Sequence, residues 1–512
     1  MLLAANSGAQ VCFNPDTNYH VGVYPCSITT ADFNKDGILD LATANHYSNN
    51  VSILIGLSAG TFTWVANHVV NTEPLWITSA DYNNDGNIDI ATANESSHTT
   101  SVLFGNGAGG FAPYLNIPLR GEGSSICSGD FNGDGNIDLA TTISHYDSVA
   151  IHLSDGAGNF NLRGYYSTGA AAEPDEVVTN DLNQDGILDL VVDNWNGSIA
   201  ILIGTGTGAF IGPTIFHTTG IKSTCAITGD FNKDGFLDLA ACNYFSNTVS
   251  FLAGNGTGNF GASVDFPIGG IKPYTLWSAD FNKDGNLDLV TANETSKNVS
   301  VVLGNGHGSF GVPYVFAADS DAEQPITGDF NNDGWPDIAV ANFGANKVTV
   351  LLNAPPPAIT ATASMYTVCA GNQVTLIGGG ALTYTWTNGV SNGIAFTPTA
   401  TTTYTVTGTN SKGCGNWDTV TVTVNGCTGL GLISEELNFS VYPNPANGNF
   451  IIQTNTSEKQ RVQIYNYTGK LIWAQTIEED KITVDSGNFN PGIYFVTVIR
   501  GDKIFVKKLL KN

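Results

Sequence analysis

Asp32-Phe33-Asn34-Lys35-Asp36-Gly37-Ile38-Leu39-Asp40 decides how this chain is read, because its pattern, Asp-x-Asn-x-Asp-Gly-x-x-Asp, is written seven times. The copies begin at Asp32, Asp81, Asp130, Asp181, Asp230, Asp280 and Asp329, at intervals of 49 to 51 residues. Each copy sets oxygen donors at alternate positions around a glycine that allows a sharp turn, as a hard cation such as Ca²⁺ requires. In the first copy the candidate ligands are the side chains of Asp32, Asn34, Asp36 and Asp40 with the backbone carbonyl of Ile38. The next two sets are Asp81, Asn83, Asp85, Asn87 and Asp89, then Asp130, Asn132, Asp134, Asn136 and Asp138. The fourth and fifth are Asp181, Asn183, Asp185, Ile187 and Asp189, then Asp230, Asn232, Asp234, Phe236 and Asp238. The last two are Asp280, Asn282, Asp284, Asn286 and Asp288, then Asp329, Asn331, Asp333, Trp335 and Asp337. No His or Cys stands in these loops, which argues against Zn²⁺ or copper. About seven structural Ca²⁺ ions are therefore expected.

An EF-hand shares the opening of this motif but needs a bidentate Glu at its twelfth position, followed by a helix. Here that position is Thr43, Thr92, Thr141, Val192, Ala241, Thr291 or Val340. A strand pattern follows, Leu41-Ala42-Thr43-Ala44 and then Val51-Ser52-Ile53-Leu54-Ile55 in the first copy, so the EF-hand reading falls. Each unit reads as four short strands joined by Gly- and Asn-rich turns. Phe13, Phe62, Phe111, Phe160, Phe210, Phe260 and Phe310 recur at the unit starts, where packing between neighbouring sheets is expected. Units of this length repeated around a ring make a propeller, and seven copies make seven blades over residues 13–353. An open array would leave an unpaired strand edge, so Phe13 to Val23 is predicted to supply the outermost strand of the last blade.

These repeats, with their Gly-Asn-Gly-x-Gly-x-Phe turns, resemble the FG-GAP (VCBS-like) family, best known from integrin α subunits. The resemblance implies calcium between the first two strands of each blade, and ligands of protein or glycan type. Some members of the family sit beside catalytic domains.

Pro355-Pro356-Pro357 breaks the pattern, and residues 354–357 read as a semi-rigid linker. Residues 358–427 alternate strictly, as in Thr419-Val420-Thr421-Val422-Thr423-Val424, and read as a small β-sandwich cored by Trp386. This stretch looks like an immunoglobulin-like or PKD-like spacer. Residues 437–512 carry 9 of the chain's 19 Lys and Arg residues. Their ordered motifs, Tyr442-Pro443-Asn444-Pro445, Asn466-Tyr467-Thr468-Gly469-Lys470 and Pro491-Gly492-Ile493-Tyr494, resemble the type A sorting domain of the type IX secretion system. That resemblance implies the secretion machinery as a partner, export across a bacterial outer membrane, and release or anchoring at the surface. The fold class expected is thus all-β: a seven-bladed propeller, an Ig-like sandwich and a small C-terminal sandwich.

Net charge is −26, which disfavours nucleic acid and acidic membranes as partners, yet 21 of the 45 acidic residues are the Asp of the seven loops. No run of 18 apolar residues occurs, so no transmembrane span is expected. Residues 1–12 read as the remnant of a leader, and a monomer is expected. Of eight Cys, Cys12 with Cys26 and Cys369 with Cys414 are plausible pairs, while Cys127, Cys225 and Cys242 read as core residues.

No zinc-protease spacing, nucleophile elbow or phosphate loop is present, and an enzyme is not expected. The corners opposite the metal loops differ most between repeats and hold Tyr47, Tyr146, Trp195, Tyr244 and Phe245 beside Asn, Asp and Glu. Aromatics so placed suit stacking on sugar rings, with capping of the inter-blade core as the other reading. The function expected is a secreted, calcium-stabilised binding or adhesion module for protein or glycan. A lectin is the narrower alternative, and a polysaccharide lyase the third.

Overall fold

Runs such as Leu41-Ala42-Thr43-Ala44 and Val51-Ser52-Ile53-Leu54 are small or β-branched and bounded by Asn- and Gly-rich turns, so they form strands. The computed structural model describes residues 11–14, 17–410, 414–426, 439–501 and 503–512; of the expected N-terminal remnant, only Val11 and Cys12 fall within them. Residues 25–351 with the early strand Thr17–His20 form seven four-stranded antiparallel sheets, the seven blades of a propeller. The first blade comprises Pro25–Ala31, Asp40–Asn45, Asn50–Leu57 and Thr61–Val69. In every blade the second strand is six residues long and buried throughout, so the core runs as a ring between sheets.

The last blade is completed by the start of the chain. Thr17–His20 pairs antiparallel with Lys347–Leu351, Thr17 opposite Val350 and His20 opposite Lys347, and Phe13 bridges Asn353. The predicted closure is therefore observed. Blades interlock through aromatic pairs: at six of the seven junctions the second residue of the metal-type loop packs edge-on against the unit-start Phe of the next blade. Phe33 meets Phe111, Tyr82 meets Phe160, Phe131 meets Phe210, Phe231 meets Phe310, Phe281 meets Phe13 and Phe330 meets Phe62. At the remaining junction Leu182 replaces the aromatic and shares a core cluster with Phe260.

A second lacing runs along the innermost strands. Ile77 N–H donates to Ser27 Oγ at 2.8 Å, Val177 N–H to Ser125 Oγ at 3.3 Å, Leu276 N–H to Cys225 Sγ at 3.5 Å and Ile28 N–H to Gln324 Oε1 at 2.7 Å. Glu176 occupies the same position between the fourth and fifth blades and accepts from the backbone of Ala226.

Beyond the propeller, two small sheets enclose Trp386, Leu376, Val406 and Val422 as an Ig-like sandwich, and the indole N–H of Trp386 donates to Asn392 Oδ1 at 3.0 Å. The described residues up to Asn425 form one compact unit, so the proline segment is no free spacer: Ala354 N–H donates to Cys12 O, and Asn416 donates to Pro357 O. The cysteine pairing differs from both expected pairs. Cys12 is bonded to Cys414, with Cα atoms 5.5 Å apart across a sequence separation of 402, while Cys26 is a buried free thiol. The reason is the ring closure, which carries Cys12 past the end of the last blade to where the sandwich begins. Cys369 is disulfide-bonded as well, and not to Cys414. Cys127, Cys225 and Cys242 are free, and the last two are fully buried, as their apolar surroundings led one to expect.

The described residues from Phe439 onward form a separate two-sheet sandwich whose core includes Phe439, Phe450, Ile464, Val496 and Leu509. No helix among the described residues is long and apolar enough to cross a membrane.

Candidate functional site: seven acidic loops and the opposite rim

Each nonapeptide lies between the first and second strands of its blade and folds through its own carboxylates. In the first loop Asp32 accepts from Asp36 N–H at 3.0 Å and Gly37 N–H at 2.8 Å, and Asp36 accepts from Ile38 N–H at 2.8 Å. Asn34 Oδ1 accepts from Asp36 N–H, and its amide donates to Asp36 Oδ2. The sixth-position glycines all have φ between 82° and 88°, left-handed territory that other residues enter at a cost. The fourth position is left-handed too, at Lys35, Asn84, Gly133, Gln184, Lys233, Lys283 and Asn332. Sequence reasoning missed that second turn, because its residue types vary.

The ninth residue of every loop, Asp40 in the first, is fully buried. Its two oxygens accept from Phe33 N–H at 2.9 Å and Gly56 N–H at 2.8 Å, tying the loop to the third strand. The same double bond recurs at Asp89, Asp138, Asp189, Asp238, Asp288 and Asp337. Burial, aided by the neighbouring loop carboxylates, pushes these carboxyls up: Asp40 to about 6, Asp337 to about 7 and Asp288 to about 8. A divalent cation would reverse that penalty, and each loop's donors are oxygens throughout, the set a hard ion takes. Loop and ion chemistry therefore fit.

The opposite rim is built on a different repeated corner. The residue after each buried second strand donates its N–H to the carbonyl of the residue before the innermost strand. The pairs are His46 to Tyr24, Glu95 to Glu73, Ser144 to Glu122, Trp195 to Glu173, Tyr244 to Lys222, Glu294 to Lys272 and Phe343 to Asp321. A buried Asn braces most of these corners, as Asn45 does by donating to Asn50 Oδ1 and Ser52 Oγ at 2.9 Å.

The five aromatics named from sequence all lie on these corners, in unlike settings. Tyr47, Tyr146, Trp195 and Phe245 are exposed, whereas Tyr244 is only 9% exposed and donates its hydroxyl to Glu294. Lys222 Nζ sits 3.1 Å from the centroid of Trp195 and also approaches Tyr244 and Phe245, so these three rings share one ammonium. Arg120 lies over Tyr146 at 5.0 Å. Tyr47 packs edge-on against Tyr24 at 4.4 Å. The corners also gather a group that sequence reasoning passed over: His46, Glu73 and Glu95 bring donor atoms within 4.8 Å of one another. Among the described residues no loop draws three carboxylates that close, because the ninth Asp is withdrawn onto its two amides. The Asn that ends six of the seven buried strands (Ile143 ends the other) was the available signal, since the residue following the strand always reaches this rim.

Comparison with known proteins bears on both ends of the chain. Six overlapping segments, residues 32–92, 81–141, 130–192, 181–241, 230–291 and 280–340, match the FG-GAP-like repeat. Residues 440–512 match the secretion system C-terminal sorting domain. Ulvan lyase NLR42 of Nonlabens ulvanivorans is 34% identical over 88 residues, a match spanning 17% of this chain and 16% of that protein. Solved structures with a similar course include BBS1N in complex with ARL6DN, at TM-score 0.49 and 12% identity over 67% of this chain and 97% of that one. The periplasmic gluconolactonase of Pseudomonas aeruginosa gives TM-score 0.47 and 16% identity over 58% of this chain and 86% of that one.

Proposed function

The chain belongs to the FG-GAP-like repeat family and ends in a type IX secretion sorting domain that directs it to the cell surface or beyond, and from this premise we propose a calcium-stapled binding module. Ca²⁺ would be held in each blade by the first, third, fifth and ninth side chains and the seventh carbonyl of the nonapeptide, for example Asp32, Asn34, Asp36, Asp40 and Ile38. Its role is structural, crosslinking the exposed part of a loop to the buried ninth carboxylate. The ligand, protein or glycan, is met by the opposite rim.

One observation carries the binding reading. The fold holds seven corners in one backbone geometry while leaving their tips different, and four of those tips expose large aromatic rings. Rings beside Asn and Glu offer a stacking face with hydrogen-bond partners, which suits sugars. The test is a glycan and surface-protein array probed with full-length protein and with a Tyr47→Ala, Trp195→Ala, Phe245→Ala variant. Binding that the triple variant loses supports the rim; binding that it keeps in full removes the rim from the account.

A second reading, cleavage of a uronate-containing polysaccharide, rests on the partial identity to an ulvan lyase. Release of unsaturated products from ulvan incubated with the protein would favour it over simple binding.

A further inference from the structure

We infer that His46, Glu73 and Glu95 form a transition-metal site of the Zn²⁺ class at the rim, separate in position and chemistry from the seven acidic loops. Two carboxylates and an imidazole are a borderline donor set that suits Zn²⁺ and is poorly matched to Ca²⁺, which prefers oxygen alone. The three donor atoms already lie within 4.8 Å of one another. Around a tetrahedral ion with bonds of about 2.0–2.2 Å they would stand roughly 3.3–3.6 Å apart, so small rotamer adjustments suffice.

The backbone fixes all three residues before any ion arrives. His46 N–H is bonded to Tyr24 O at 2.8 Å, and Glu95 N–H to Glu73 O at 2.9 Å. Glu73 N–H is held by Asn49 Oδ1 at 2.9 Å, and Glu73 itself is in the left-handed region at φ 58°. Two blades thereby deliver three side chains to one point from short corners, not from mobile loops.

His46 is 9% exposed, its Nε2 lies 3.3 Å from Glu95 Oε2, and its Nδ1 is buried without a hydrogen-bond partner. An ion held at Nε2 would leave Nδ1 as it is, so what the ring contributes is one nearly buried nitrogen facing the two carboxylates. Glu73 is meanwhile engaged by the hydroxyl of Ser96, which orients its carboxylate without neutralising it. A divalent ion would offset the charge of two acids held side by side. Three protein donors also leave a fourth position open to water or to an oxygen of a bound ligand.

The experiment is equilibrium dialysis of the full-length protein against micromolar Zn²⁺ with millimolar Ca²⁺ keeping the acidic loops saturated, with retained zinc measured by mass spectrometry. Wild type should retain one Zn²⁺ per chain more than His46→Gln or Glu95→Gln. Co²⁺ in place of Zn²⁺ should give the intense visible absorption of a four-coordinate site, absent in both variants. Glu73→Gln, which keeps an oxygen for Ser96, guards against misfolding and should weaken retention at least tenfold with an unchanged melt in Ca²⁺. Equal zinc in wild type and all three variants would overturn the site and leave a plain His–Glu ion pair. A Co²⁺ spectrum unaltered by the His46 change would overturn it equally.

Discussion

Gly37 stands at φ 83° with nothing within 4 Å of the place a Cβ would occupy, so conformation, not crowding, demands glycine there. Replacing it with alanine should therefore cost about 1–2 kcal/mol, the penalty of holding an L-residue left-handed, with no added steric term. Urea unfolding would measure this, and a cost near zero would show that the loop relaxes. Asp40 is a different kind of position. Asp40→Ala strands the N–H groups of Phe33 and Gly56 in the buried interior, at about 1–3 kcal/mol for each. It should thus destabilise the protein even in chelator, whereas Asp36→Ala, at an exposed position, should act mainly by weakening the response to Ca²⁺. The sequence pattern displayed both residues as ligands and could not tell them apart. Only the fold shows that one carboxylate is also a tie between strands.

At the scale of elements, strands and their order were legible because turn residues and β-branched runs punctuate every unit. The outer strand Thr17–His20 was legible because seven loops require seven complete sheets. The lacing of inner strands was not, since Ser27, Ser125, Cys225 and Gln324 share a position and no chemistry beyond an acceptor atom. Glu176 is the member of that series with a cost attached. Burial, the main cause, pushes its carboxyl up from 4.5 to about 8, so the folded chain holds a proton there that the unfolded chain gives up. Its contribution is complete below about pH 4.5 and is lost as pH climbs through about 8. Glu176→Gln, which mimics the neutral acid, should match wild type at pH 5 and exceed it in stability at pH 9. Denaturant midpoints of the pair at the two pH values give the check, and an identical difference at both would count against a buried, protonated Glu176.

For the whole molecule, the seven-fold count matters more than any one loop. Extracellular calcium modules bind with dissociation constants of about 10⁻⁴–10⁻³ M. At tenfold excess each site adds about 1.4 kcal/mol, so seven would add on the order of 10 kcal/mol, comparable to the stability of an entire domain. Chelation should lower the melting temperature by well over ten degrees, and the midpoint should climb again with the logarithm of added Ca²⁺. A melt indifferent to chelator would remove calcium's structural role. The overall architecture was readable from a periodic motif, but the covalent frame was not. Cysteines 402 residues apart become neighbours only once the ring has closed.

That bond, Cys12 to Cys414, turns most of the chain into a single macrocycle enclosing the propeller. One peptide cut anywhere inside it, such as a surface protease might make at a corner, opens the circle without dividing the molecule. The nicked product would still migrate as one species on a gel until a reductant is added. Removal of the sorting domain, which lies outside the circle, leaves it intact. The exported particle thus tolerates a first wound that would split an ordinary chain in two.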